Sequence, residues 1–207
     1  MKSIVGVITG DIINSRSTSL EYGFLETMRS GLKALGNEGK NWDIFRGDSF
    51  QAEIKNPKDV FWKAVYLKAA LRSHKGLDAR MAIGIGEKED MTNMVSEDTG
   101  SAFIRSGEAF EQLKNAKTNL LINTENTVIN SELNSCFKLA LLVMDSWTAN
   151  SAEIVKMSIE NPKWNQTKIG KKIGIKQNTV SERLKRSAFE ELREFDTAFR
   201  RRIKHLV

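Results

Sequence analysis

The 207 residues carry 40% hydrophobic and 28% charged side chains, with four Trp and ten Phe, a composition that buries a core and excludes wholesale disorder. A single cysteine, Cys136, excludes an intramolecular disulfide and a cysteine-built zinc site. The opening apolar run, residues 4–8, is too short for a signal-peptide core, and no later run reaches bilayer length, so the expectation is a cytoplasmic chain with no membrane partner. Net charge is +6, and it is unevenly placed: residues 162–207 hold 13 Lys and Arg against 5 Asp and Glu, while residues 1–161 hold 19 against 21. A basic quarter joined to a near-neutral body fits either a nucleic-acid-binding appendage or a solvated basic tail.

Residues 3–9 form a compact β-branched run ending at Gly10-Asp11, which predicts a buried strand with a carboxylate just past its end. Thr18-Ser19-Leu20-Glu21 has capping-box spacing, and Leu20, Phe24, Leu25, Met28, Leu32 and Leu35 recur at helical intervals. Trp42 and Ile44, then Phe50, Ala52 and Ile54, alternate with polar residues on either side of Arg46-Gly47-Asp48-Ser49, the pattern of a hairpin with Asp48 at its tip. Asn56-Pro57 opens a second helix, and residues 79–87 a strand. On that strand Met81, Ile83 and Ile85 share one face while Ala82, Gly84 and Gly86 leave the other open to a packed helix or a ligand. A helix from Gly100 and a strand over 118–124 follow.

Residues 129–147 read as a long helix whose Leu133, Cys136, Phe137, Ala140, Leu141, Met144 and Trp147 approach a heptad seam. It connects two halves or pairs with a second copy, and places Cys136 in a core. A short helix over 151–159 precedes Pro162. Beyond it, Gln166 to Lys185 has helix-turn-helix spacing: Ile169 and Ile173 are four apart, Gly170 is small where two helices cross, Gly174 permits the turn, and Ile175, Val180 and Leu184 pack the second helix. This resembles the bacterial regulators in which Gln-Asn-Thr-Val-Ser opens the recognition helix, and the resemblance implies binding to double-stranded DNA. Gln177, Asn178, Thr179 and Ser181 would meet base edges or phosphates, and Lys168, Lys171, Lys172, Arg183, Lys185 and Arg186 the phosphate backbone. The second helix is expected to continue through Phe189, Leu192, Phe195 and Phe199 to Arg202 and to dock on the body or on a partner chain.

Asp11 and Asp48 become neighbours if their strands are adjacent, as the β-α-β-β order favours. Two such carboxylates suit Mg²⁺ or Mn²⁺ with nucleotide phosphates, and equally suit ordinary turn and cap chemistry. Gly10-Asp11-Ile-Ile-Asn14-Ser15-Arg16, Arg46-Gly47-Asp48-Ser49-Phe50-Gln51, residues 80–87 and Gly100 to Ala109 together resemble the SatD family of small bacterial proteins over about the first 125 residues. The same order resembles, more distantly, the palm-type domain of class III nucleotide cyclases and GGDEF proteins, in which a strand-end Asp and a hairpin Asp hold two metals. That resemblance implies Asp11 and Asp48 as metal ligands; Asn14, Arg16 and Arg46 are candidate nucleotide-binding residues, and Arg16, Arg46 and Lys114 or Lys117 equally fit solvated charges. Ser49 stands where the GGDEF pattern has Glu, and Ile104 and Glu108 stand where the cyclase helix has its Asn and Arg, with Arg105 one place away. A nucleotide-binding domain fits these departures better than a competent cyclase.

The expected fold is α+β: a ferredoxin-like, palm-type βαββαβ antiparallel sheet domain over 1–127, a connecting helix over 128–150, and an all-α helix-turn-helix domain over 151–207. The expected function is that of a DNA-binding, transcription-regulating homodimer whose first domain senses a nucleotide or supports dimerisation. The alternative is a metal-dependent nucleotidyl transferase or cyclase using Asp11 and Asp48.

Overall fold

The computed structural model describes residues 3–13, 23–89, 94, 95 and 97–206, and it is a mixed α+β protein. Its five strands are β1 (Ser3–Ile12), β2 (Trp42–Phe45), β3 (Ser49–Ile54), β4 (Ala79–Lys88) and β5 (Leu120–Asn123). They form one sheet in the order β2-β3-β1-β4-β5. The run of β-branched residues puts β1 at its centre, with residues 5–10 all buried. Pairings β2–β3, β3–β1 and β1–β4 are antiparallel, and β4–β5 is parallel. The sheet is therefore mixed where an antiparallel one was expected. A helical crossover follows β4, returns the chain to the end where β4 began, and so sets β5 running the same way.

The helices are α1 (Phe24–Lys33), α2 (Val60–Arg72), α3 (Ser101–Ala116), α4 (Thr127–Met144), α5 (Ala149–Glu160), α6 (Gln166–Ile173), α7 (Gln177–Arg186) and α8 (Phe189–Ile203). The capping box over 18–21 lies outside the described residues. Asn56 accepts from Lys58 N as expected, above a 3-10 turn, Pro57–Asp59, that leads into α2. Asn126, Thr148 and Asn165 cap α4, α5 and α6 in the same way.

The two faces of β4 settle which partner each takes. Met81, Ile83 and Ile85 join Ile8, Phe50 and Ala52 in the main core with α1 and α2. On the other face α3 packs against glycine: a Cβ on Gly84 would lie 2.1 Å from Ala102 O and 2.4 Å from Ser106 N. The small-residue face serves a helix.

α2 is apolar nearly all round because it is enclosed, with the sheet on one side and C-terminal helices on the other. Phe61 of α2 stacks on Phe137 of α4 at 5.2 Å and meets Phe195 and Phe199 of α8 at 4.8 and 5.5 Å. The boundaries drawn at 127/128 and 150/151 are thus crossed by one continuous core. A smaller cluster is built on Ile154, Ile169 and Val180 of α5, α6 and α7, and Leu184 packs against both it and the main core.

Two expectations change here and one open alternative is decided. α7 and α8 are separate helices, because Ala188 turns left-handed at φ 49° and Ser187 offers its carbonyl to Trp147 Nε1 at 3.1 Å. α8 docks on the body, with Arg200 paired to Asp59 and Arg202 to Glu132. Cys136 is exposed, since α4 buries the row Ile129, Leu133, Phe137, Leu141 and Met144, and Cys136 falls beside that row.

A buried ion network joins the halves. Lys68, 1% exposed, bonds Asp78 at 2.8 Å and Asp145, just past α4, at 2.7 Å. Arg72 bonds Asp78 at 2.6 Å and donates to the Trp147 carbonyl at 3.2 Å and 2.6 Å.

Candidate functional site

Two places gather the residues that the sequence singles out. The first is the sheet end where β1 stops. Register sets Asp11 opposite Ser49 on β3 and opposite Arg80 on β4, and Ile12 N donates to the Asp48 carbonyl at 3.0 Å. Strand adjacency therefore brings Asp11 and the hairpin tip together. Arg46 and Gly47 turn that hairpin with φ of 55° and 83°, leaving Arg46 exposed. Asn14 and Arg16 lie outside the described residues.

The dominant partner of Asp11 is a residue that motif reasoning leaves without a role. Arg80 donates through Nε to Oδ1 and through Nη2 to Oδ2, both at 2.7 Å, a bidentate pair with the carboxylate largely shielded. The bond to Asp11, with further pull from Asp48, raises the Arg80 pKa above its ordinary value, against the lowering effect of burial. Phe110 of α3 lies under the guanidinium at 5.8 Å. The only sequence signal for this pair is antiparallel register, visible once β1 and β4 are aligned.

A divalent cation does not fit these donors. Both Asp11 oxygens are taken by a guanidinium, and no group of three or more His, Cys, Asp or Glu is placed to hold a metal among the described residues. At the positions that the cyclase resemblance aligns with a phosphoryl-stabilising pair, the side chains are apolar or bonded within the protein. Ile104 is exposed, Glu108 accepts from Asn123 at 3.0 Å, and Arg105 donates to the Ile85 carbonyl at 2.8 Å, at the opposite end of β4 from Arg80. Five residue steps of β4, roughly 16 Å of strand, lie between Arg80 and Ile85.

On the same sheet face Lys88 bridges Glu53 and Asp98 at 2.5 Å each. Burial pulls the Lys88 pKa down, but the hydrogen bonds to Asp98 and Glu53 outweigh it and the net shift is upward.

The second place is the surface of α6 and α7. A Cβ on Gly170 would lie 2.6 Å from the Ile175 carbonyl, so the turn between the helices folds back on α6 at a distance only glycine permits, and Gly174 closes α6 at φ 75°. Gln177 Nε2 donates to Gln166 Oε1 at 2.6 Å, tying the head of α7 to the head of α6. α7 buries Val180 and no other residue. Lys168, Lys171, Lys172, Gln177, Asn178, Lys185 and Arg186 are exposed, and Thr179, Ser181 and Arg183 are half-buried. Leu184 packs inward beside Val180.

The model for the SatD family matches residues 5–199. The chain belongs to the SatD family. The family match thus extends past the first 125 residues that carry the sequence resemblance and takes in α4 to α7 and most of α8. No curated protein matches this SatD chain. Among solved structures, the active GGEEF domain of a diguanylate cyclase from Vibrio cholerae is similar at a TM-score of 0.41 and 13% identity, over 60% of this chain and 84% of that one. No helix among the described residues is long and apolar enough to cross a membrane.

Proposed function

We propose that this SatD protein binds double-stranded DNA and regulates transcription, with α6 and α7 acting as a helix-turn-helix and α7 as the recognition helix. The observation that carries this reading is the division of α7: Val180 is buried and Leu184 packs beside it, while Gln177, Asn178, Glu182, Lys185 and Arg186 are exposed, in a segment where residues 166–187 hold seven Lys or Arg and one Glu. A helix kept only for packing buries more of itself. In this reading Gln177 and Asn178 read base edges, Gln166 fixes the Gln177 amide, and Lys168, Lys171, Lys172, Lys185 and Arg186 contact phosphates.

The sheet, whose four antiparallel strands follow the ferredoxin-like order, serves as a palm-type scaffold for nucleotide sensing or dimerisation. A homodimer would present two recognition helices to a palindromic site. The exposed apolar row on α4, with Leu139 67% and Leu142 74% exposed, supports such pairing. Asp11 enters this reading as the partner of Arg80, with no metal.

The test is fluorescence anisotropy with mixed-sequence duplex DNA across a salt series. Binding should weaken with salt, and Lys171→Glu with Lys172→Glu should reduce the slope of log K against log salt by about 2. Affinity that ignores salt, or no duplex binding, would remove the proposal.

A further inference from the structure

α4 and α8 lie side by side and antiparallel. Trp147, just past α4, reaches Ser187 before α8, and Glu132 near the start of α4 pairs with Arg202 near the end of α8. Between the helices runs an apolar groove of 300 Å³, lined by Cys136, Leu139, Ala140 and Val143 of α4 and by Leu192 and Phe195 of α8. The outward strip of α4 extends this surface. Val128, Leu139 and Leu142 are 60%, 67% and 74% exposed, and Ser131 and Ser135, the exposed residues between Val128 and Leu139 on that strip, carry no charge. Ser135 Oγ already donates to the Ser131 carbonyl at 2.9 Å, so covering the strip leaves that hydroxyl satisfied.

The outward strip of α8 is charged instead. Glu191, Glu194, Arg201 and Lys204 are exposed, and among the described residues none of the four has an ion-pair partner, whereas Arg193, Arg200 and Arg202 each have one. Acid occupies one half of the strip and base the other. Glu194 lies beyond the first turn of α8, where the helix dipole no longer favours a carboxylate, so the dipole does not account for this division.

Both strips are symmetric about one level. On α8, Glu194 and Arg201 stand equally far from the step between Thr197 and Ala198, and so do Glu191 and Lys204. On α4, Val128 and Leu142 stand seven residues to either side of Ser135. The contacts of Phe137 with Phe195 and of Glu132 with Arg202 bring Ser135 level with the 197/198 step. We infer that a second copy of this chain covers this face about a two-fold axis crossing both helices at that level, α4 antiparallel to α4 and α8 antiparallel to α8, closing a four-helix bundle. Glu194 then meets Arg201 of the second copy and Glu191 meets its Lys204, twice each, while Leu142 meets Val128. Apolar contact at α4 and charge pairs along α8 divide the work as the core and rim of an interface do. This inference deepens the homodimer in the proposed function and stands apart from DNA binding.

Sedimentation equilibrium of the full chain at low salt tests it. Glu194→Arg and Arg201→Glu, made singly, each set like charges together at two symmetric places and should raise the dimer dissociation constant roughly tenfold or more. The chain carrying both substitutions has opposite charges facing again and should return to within about threefold of the parent. Residues 194 and 201 are roughly 10 Å apart along one helix, so that recovery reports contact between chains. Both positions are exposed, and all three variants should keep the far-UV circular dichroism of the parent. A parent that stays monomeric at millimolar concentration, single variants that dimerise as the parent does, or a double variant no tighter than the singles would overturn the interface. Anisotropy on DNA is a separate arm: a dimer that passes this test without binding duplex would sink the DNA reading and leave the interface standing, and duplex binding by a monomeric parent would do the reverse.

Discussion

Lys68→Met removes an ammonium from a position 1% exposed to solvent and leaves an apolar chain of similar length in its place. Two carboxylates lose a partner, on unequal terms. Asp78, whose side chain is 17% exposed, keeps Arg72 at 2.6 Å. Asp145, 38% exposed, keeps a 3.0 Å bond from Asn119 and is open to water. Breaking a fully buried pair costs about 3–5 kcal/mol, and the exposure of these two carboxylates lowers the expectation to about 2–3 kcal/mol. For a chain of this size that is a fall in Tm of about 5–10 °C. Urea unfolding followed by far-UV circular dichroism reads it as a lower midpoint at unchanged m-value. Asp145→Asn supplies the contrast, because an amide can still bond Asn119 and the site is hydrated: about 1 kcal/mol or less is expected. A loss below about 0.5 kcal/mol in Lys68→Met, or an equal loss in the two variants, would refute the assignment of cost to burial.

Glycine positions give a paired test of packing on α3. Gly84→Ala sets a methyl against backbone atoms at 2.1 and 2.4 Å and should cost about 3 kcal/mol or more, while Gly107→Ala, with nothing within 4 Å, should stabilise by about 0.5–1 kcal/mol. Similar urea midpoints for the two variants would contradict this packing. The raised pKa of Lys88 makes its bonds to Glu53 and Asp98 a stabilising contribution that is fully present below the ordinary lysine pKa and is lost as pH rises through the folded value. Melting measured from neutral to strongly alkaline pH should therefore show a limb that Lys88→Met lacks, and an unchanged limb would remove Lys88 as its source. If α4 pairs two copies as proposed, Leu142→Glu on its exposed row should leave the Tm within about 2 °C yet convert the sedimenting dimer to monomer; a parent that sediments as a monomer, or a variant that remains dimeric, would remove α4 as the pairing surface.

Much of the architecture is legible because it depends on local periodicity. Asn56-Pro57, the alternation around residues 46–49, and the glycines at 170 and 174 each state a turn or crossing in a few adjacent residues. What local pattern leaves out is pairing over long sequence distance. Arg80 meets Asp11 only through strand register, Lys68 meets Asp145 only through the docking of α4, and neither distance leaves a trace in spacing. The heptad-like row on α4 illustrates the limit: it names an apolar helix correctly, yet the core selects a row that leaves Cys136 outside. The break at Ala188 was equally hidden, since alanine is the residue least suggestive of a left-handed turn.

The aromatic stack of Phe61 on Phe137, Phe195 and Phe199 has a temporal meaning. Its members are made far apart in time: Phe137 of α4 reaches Phe61 first, and the cover is complete only when α8 has been synthesised, about 130 residues after Phe61. Synthesis at about 5–20 residues per second makes that an interval of roughly 6–26 seconds, during which the sheet and its first helices lack one wall. A nascent chain of this protein therefore carries its most enclosed helix incompletely covered until α8 emerges, and α8 supplies the last wall around it.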